Sequence, residues 1–160
     1  MITQTQIQEL FYYKDGVLYW KCPTNRAIKP GALAGKTHAN GYVQTCIYKK
    51  FYYNHRLIWL LHHGELPQCI DHIDGNPSNN RIENLRIATL SQNQYNSKMK
   101  KSNSSGIKGV SWDKSTNKWY SQIQVAKKKI NLGRYDDVKL AELAVIEARK
   151  KYHGNFAKHE

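Results

Sequence analysis

The chain has 160 residues, 40% of them hydrophobic and 23% charged, with a formal net charge of +13. That apolar share is enough for real cores, so disorder is not the default, and three cysteines with no CxxC pair argue against a disulfide framework and fit a reduced cytoplasm. The basic excess points to a polyanionic partner, of which nucleic acid is the leading candidate. Charge is uneven along the chain: residues 1–96 hold 10 Lys and Arg against 6 Asp and Glu, and residues 97–160 hold 15 against 6. Residues 97–106, SKMKKSNSSG, lack apolar periodicity and read as a basic linker joining a module of residues 1–96 to one of residues 107–160. Residues 1–13 do not resemble a signal peptide, and the longest apolar run, residues 57–61, is too short to span a bilayer; a soluble, cytoplasmic protein with no membrane partner is expected.

In the first module, residues 5–12 read as a short helix and residues 16–20 (GVLYW) as a strand. Residues 41–53 give two aromatic and β-branched runs split by Lys49 and Lys50, which is hairpin chemistry. Asn54 then caps a helix reaching His63 and stopped by Gly64, with Leu57, Leu60 and Leu61 as its apolar stripe. His55 and Arg56 open that helix, either as local hydrogen-bonding groups or as phosphate contacts, and His62 and His63 read as surface residues.

Residues 69–73 (CIDHI) have strand character, residues 74–80 are dense in turn formers, and residues 84–88 (NLRIA) return as a second strand. Thr89 and Gln92 form a capping box that starts a helix with Asn93 in its first turn. The order strand, loop, strand, helix brings Asp71 and His72 towards Asn93. Neighbours on a regular strand face opposite ways, so Asp71 and His72 serve one site only if the strand twists or ends there. A carboxylate and an amide can hold a hard divalent cation through oxygen, while an ordinary imidazole, with a pKa of about 6.5, can take a proton from water.

Asp71-His72, Asn84 and Asn93, with the NxxNxxIxNL spacing of residues 76–85, resemble the ββα-metal motif of HNH endonucleases, in particular phage and intron homing endonucleases whose third motif position is Asn. With residues 55–59 (HRLIW) the resemblance covers about 40 residues, with the ββα-metal core at about residues 66–98. It implies His72 as general base, Asp71 and Asn93 as metal ligands, and Asn84 as the amide that ties the loop and aims His72. It also implies one Mg2+ or Mn2+ ion per site and products bearing 5′-phosphate and 3′-hydroxyl. Arg81 and Arg86 flank the loop as candidate phosphate contacts.

In the last module, residues 107–112, 118–125 and 129–135 read as three strands and residues 137–153 as a helix. Trp119, Ser121, Ile123 and Val125 should face Ala141, Ala144, Val145, Ala148 and Tyr152 of the helix, leaving Tyr120, Gln122, Gln124, Lys129 and Asn131 outward. The run GIKGVSWDKSTNKWYSQI with LGRYD and GNFA resembles the Apetala/ethylene-response-factor DNA-binding domain, whose sheet lies in the major groove. That resemblance implies DNA contacts from Lys108, Ser111, Trp112, Tyr120, Gln122, Gln124, Lys129 and Asn131. The expected fold is α+β, a ββα-metal module followed by a three-stranded antiparallel sheet on one helix. The expected activity is site-directed cleavage of double-stranded DNA by a phage- or mobile-element-encoded monomer or homodimer. The alternatives are a DNA-binding regulator on a degenerate nuclease fold and a basic RNA-binding protein.

Overall fold

A computed structural model of the protein describes residues 2–97, 99, 103 and 105–157. It is a mixed α+β architecture that divides into two compact units, Met1–Ala88 and Thr89–Glu160. Lys98, Lys100, Lys101, Ser102 and Ser104 of the expected linker lie outside the described residues.

The first unit begins with α1 (Gln4–Leu10), opened by a capping box between Thr3 and Gln6. The helix ends at Leu10, two residues short of the sequence expectation. Phe11 and Tyr12 are instead the start of β1 (Phe11–Lys14), which pairs antiparallel with β2 (Val17–Trp20) and sets Phe11 opposite Trp20. Aromatic residues on a pleated surface pack better than on a short exposed helix, and here the two rings meet at 4.4 Å between centroids.

A three-stranded sheet follows, ordered β3 (Lys36–Thr37), β4 (Val43–Ile47), β5 (Lys50–Tyr53). The β4–β5 turn is Tyr48-Lys49, both at positive φ of 47° and 66°, and Lys50 belongs to the strand. The twist of a two-residue hairpin turn requires that conformation at both central positions. Next comes α2 (Asn54–His63), closed by Gly64 in the left-handed conformation. Asn54 is not its cap. It is 3% exposed; its amide donates to the Ala34 carbonyl at 2.8 Å, and its Oδ1 accepts from the Thr45 hydroxyl at 2.7 Å. Its hydrogen-bonding capacity is spent on long-range partners rather than on the helix start, which Tyr53 occupies without a side-chain bond.

The unit closes with β6 (Cys69–His72) and β7 (Leu85–Ala88), paired antiparallel with Asp71 opposite Arg86 and His72 opposite Leu85, with a 3₁₀ turn at Ile82–Asn84 leading into β7. One apolar cluster supports all of these elements, including Ile7, Leu10, Phe11, Leu18, Trp20, Ile47, Leu57, Ile58, Ile70 and Leu85. Each such fully buried aliphatic side chain contributes about 1.5–3 kcal/mol relative to exposure. Of the aromatics expected to pack as scaffold, Tyr52 packs against this cluster and Trp59 lies within it, while Tyr53, at the end of β5, is 37% exposed.

The second unit opens with α3 (Leu90–Tyr95), where the Thr89–Gln92 capping box forms as its sequence indicates. A sheet of order β10-β9-β8 follows, made of β8 (Val110–Asp113), β9 (Lys118–Val125) and β10 (Lys128–Tyr135), and α4 (Val138–His153) packs on it with Asp137 as N-cap. Ser121, Ile123, Ala141, Val145 and Ala148 are buried, so the alternation along β9 resolves as expected. Two details differ. Residues 107–109 form a turn in which the Val110 N–H donates to the Ile107 carbonyl, placing Lys108 before the sheet. Tyr152 is 43% exposed, whereas the next residue, His153, still reaches the Gln124 carbonyl of β9.

Candidate active site and nucleic-acid face

The β6–β7 hairpin presents a carboxylate and an imidazole at neighbouring positions, both buried: Asp71 is 3% exposed and His72 5%. The strand ends at His72, whose carbonyl accepts from the Gly75 N–H at 2.8 Å as the chain turns. Asp71 is held from across the ladder. Arg86 Nε and Nη2 reach its Oδ2 at 2.8 and 2.7 Å. Arg86, expected as a phosphate contact, therefore has a partner inside the protein, and only 19% of its side chain is exposed. The exposed Arg81 lies at the end of the same loop.

Asn84 ties that loop together. Its amide nitrogen donates to Asp74 Oδ1 at 3.0 Å and to the Asn79 carbonyl at 2.8 Å, and its Oδ1 accepts from the Asp74 N–H at 3.1 Å. Burial pushes the Asp74 carboxyl up, but hydrogen bonds from the Asn76 N–H, the Asn79 amide and Asn84 outweigh it and hold the group below its ordinary value. A loop cross-linked at this density is a rigid support for Asn80, the residue at its far end.

Asn80 is the residue that sequence reasoning missed. It is 3% exposed, and its Oδ1 lies 3.0 Å from His72 Nε2. An amide oxygen only accepts, so the facing ring nitrogen carries the proton and Nδ1 is the basic nitrogen of the neutral ring. The doubled Asn79-Asn80 was a usable signal, because a surface turn needs only one such residue while a second that packs inward needs another purpose.

Rings from three other positions wall the imidazole. His55 meets His72 edge-on at 5.1 Å between centroids, Tyr42 meets it at 5.9 Å, and Tyr53 stacks on His55 at 5.5 Å. Burial, then the neighbouring His72 and Arg56, push His55 down to about 3. A neutral His55 adds no positive charge that would oppose protonation of His72. Arg56, by contrast, serves the scaffold, donating to the Pro67 carbonyl at 3.2 Å just ahead of β6. His62 and His63 are exposed, as expected.

Asn93 belongs to the second unit, in the first turn of α3. Among the described residues no group of three or more His, Cys, Asp or Glu gathers to hold a metal ion. A carboxylate and an amide are oxygen donors of the kind a hard divalent cation takes while completing its shell with water and phosphate. Asp71 is the buried carboxylate that adjoins His72 in the first unit.

In the second unit, cross-strand register places Ser111 opposite Tyr120, Tyr120 opposite Arg134, Gln122 opposite Asn131 and Gln124 opposite Lys129. These form one polar face turned away from α4, with the Arg134 guanidinium 5.2 Å over the Tyr120 ring. Trp112 pairs with Trp119, their rings edge-to-face at 5.0 Å, which sets it on the opposite side of the strand from Ser111. The Lys108 ammonium donates to the backbone carbonyls of Tyr95, at 3.0 Å, and Ser97.

Among the described residues no helix is long and apolar enough to cross a membrane. Residues 52–95 match the family model described as HNH endonuclease, a span that holds Asp71, His72, Asn80, Asn84 and Asn93. Over 116 residues the chain is 37% identical to Protein 3.8 of Escherichia phage T7, an alignment covering 69% of this chain and 95% of the relative. It is also 49% identical over 59 residues to a protein of Acanthamoeba polyphaga mimivirus named as an HNH endonuclease, covering 35% of this chain and 29% of that longer protein. No solved structure matches it. The HNH domain is one of nucleases acting on nucleic acid, and this chain, which carries it at residues 52–95, belongs to the family of phage T7 Protein 3.8.

Proposed function

We propose that this protein is a metal-dependent, site-directed DNA endonuclease of the homing type, cutting with residues 1–96 and reading double-stranded DNA with residues 107–160. The observation that carries this reading is the buried Asp71-His72 pair at the end of β6, with the His72 tautomer set by Asn80. In the roles the HNH resemblance gives them, Asp71 and Asn93 would hold the ion, and Asn84 acts indirectly by fixing the loop that carries Asn80. The polar sheet face of Ser111, Tyr120, Gln122, Gln124, Lys129 and Asn131 reads the major groove in the manner of an Apetala-like domain.

In the reaction, His72 Nδ1 takes a proton from water as the water oxygen attacks phosphorus. The bond from phosphorus to the 3′ oxygen breaks, leaving a 5′-phosphate and, after protonation, a 3′-hydroxyl. The chemistry supplied by bound Mg2+ or Mn2+ is neutralisation of charge on the scissile phosphate and on the departing oxygen. Imidazole base catalysis accounts for about 10²–10⁴-fold of such a rate. Through a neutral His55 and the rings of Tyr42 and Tyr53, the protein keeps that imidazole in a low-dielectric wall without a competing cation.

The test is cleavage of supercoiled plasmid and phage DNA with Mg2+ or with EDTA, by the wild type and by His72→Ala. Metal-dependent nicking or linearisation, lost in the variant while DNA binding persists, is the expected result. Equal cutting by the variant would remove His72 as base. Tight binding without any cutting would leave a DNA-binding regulator.

A further inference from the structure

The second unit contains a cavity of about 180 Å³ lined by Gln94, Tyr95, Lys108, Gln122, Gln124, Lys127, Arg149 and His153 among others, with no carboxylate among the described lining residues. Arg149 is the informative member. It is 3% exposed, and among the described residues it makes no ion pair; the partner of its guanidinium is the Lys108 carbonyl. A buried guanidinium with only neutral partners is costly, and burial does push Arg149 below its ordinary value. Gly109 makes the close approach possible: at φ 84° it carries no side chain, and a Cβ there would lie 3.3 Å from Arg149 Nη2 and 2.7 Å from the Gln122 carbonyl oxygen.

His153 supplies the second, independent observation. Its ring stacks on Tyr95 at 3.8 Å, and its Nε2 donates to the Gln124 carbonyl at 2.9 Å. Its Nδ1 is the one buried side-chain nitrogen or oxygen among the described residues that lacks a hydrogen-bond partner. Buried polar atoms are satisfied in nearly all native sites, and this exception belongs to a residue of the cavity's lining. With Nε2–H committed to the carbonyl, Nδ1 either accepts from a P–OH or, when protonated, donates to an anionic oxygen.

We infer that this cavity is a phosphate-binding pocket, with Arg149, Lys127 and His153 Nδ1 as its recognition groups. Gln122 and Gln124 line the pocket and lie on the strand whose outward side chains are assigned above to DNA. A backbone phosphate of bound nucleic acid and free phosphate share this chemistry. The inference rests on the second unit alone, so its failure would leave the cleavage reading untouched.

The experiment is a titration of the full-length protein with inorganic phosphate, followed by backbone amide NMR against chloride at equal ionic strength. Selective shifts at Tyr95, Gln122, Gln124 and Lys127 are expected with phosphate at millimolar concentration. They should vanish in Arg149→Met and weaken at least about threefold in Lys127→Ala and His153→Gln. Lys127 lies on an exposed turn, so its variant carries the test even if Arg149→Met fails to fold. Loss of the phosphate shifts when a short duplex is bound would identify a backbone phosphate as the occupant; persistence would identify free phosphate. No selective shifts, or equal shifts in wild type and all variants, would overturn the inference.

Discussion

The core of the first unit draws on α1, β1, β2, β4, α2, β6 and β7 and includes Ile7, Phe11, Leu18, Trp20, Leu57 and Ile58, whereas the buried core of the second is five small or medium residues: Val110, Ile123, Ala141, Val145 and Ala148. The larger core supports something expensive, a buried Asp71, His72, Asn80, Thr45 and Asn54 whose polar groups must be held in place. The smaller core supports a sheet whose outward face stays wet and asks little of the interior. A site that orients a proton acceptor needs rigidity on the scale of a few tenths of an ångström, while a face that lies against DNA needs mainly shape and charge.

The sharpest way to break this contrast is at Asp71. Arg86→Met removes two donors to a buried carboxylate, and a cost of about 3–5 kcal/mol is expected because a buried ion pair is broken from one side. Urea unfolding would measure it. A change below about 1 kcal/mol would mean that the pair is better solvated than its burial suggests.

Next in size is Asn80→Ala, expected to lower kcat about 10²-fold with little change in KM for DNA, since the imidazole loses the acceptor that sets its tautomer. If KM rises and kcat holds, Asn80 contributes to binding rather than to positioning.

Acid should separate the units further. His55 has a folded value of about 3 against an ordinary 6.5, so below pH 6.5 the unfolded chain takes up a proton that the folded chain refuses. Stability therefore falls as pH drops from 6.5 towards 3 and levels off below that, with about 2 kcal/mol lost by pH 5. His55→Phe keeps the ring and should flatten that part of the curve; an unchanged slope in the variant would assign the acid sensitivity elsewhere.

The smallest expected effect belongs to the sheet. Lys129→Ala should weaken DNA binding modestly and reduce the log-log salt slope by about 0.9, the value of one phosphate contact. An unchanged slope would place Lys129 outside the phosphate contacts.

Local signals were the legible ones. The Thr89–Gln92 capping box, the bounds of β9 and its alternating faces are written in adjacent residues, and the structure reproduces them. The Asp71-His72 pair was legible because a strand followed by turn formers must end, and it does end at His72. The features that stayed hidden depend on residues far apart in sequence. Asn54 has the chemistry of a cap, and only the approach of Thr45 and Ala34 turns it inward. Arg86 looks like a phosphate contact until the register sets it opposite Asp71. Asn80 differs from Asn79 only in which side of the loop it faces.

The boundary between the two compact units falls after Ala88, inside the HNH match that runs to residue 95. Its position constrains how such a chain can be inherited. A recombination that exchanges the C-terminal half at residue 89 removes Asn93 with it. One that exchanges it after residue 97 keeps α3 but strands Tyr95, whose ring stacks on His153 and whose hydroxyl accepts from the Ala126 N–H. Neither cut yields a clean cassette, so a successful hybrid must bring in a replacement for His153 and the Ala126 turn or be repaired at Tyr95. Under the proposed function, the descendants of this chain should trade DNA specificity by substitution on the sheet more readily than by swapping the half proposed to carry it.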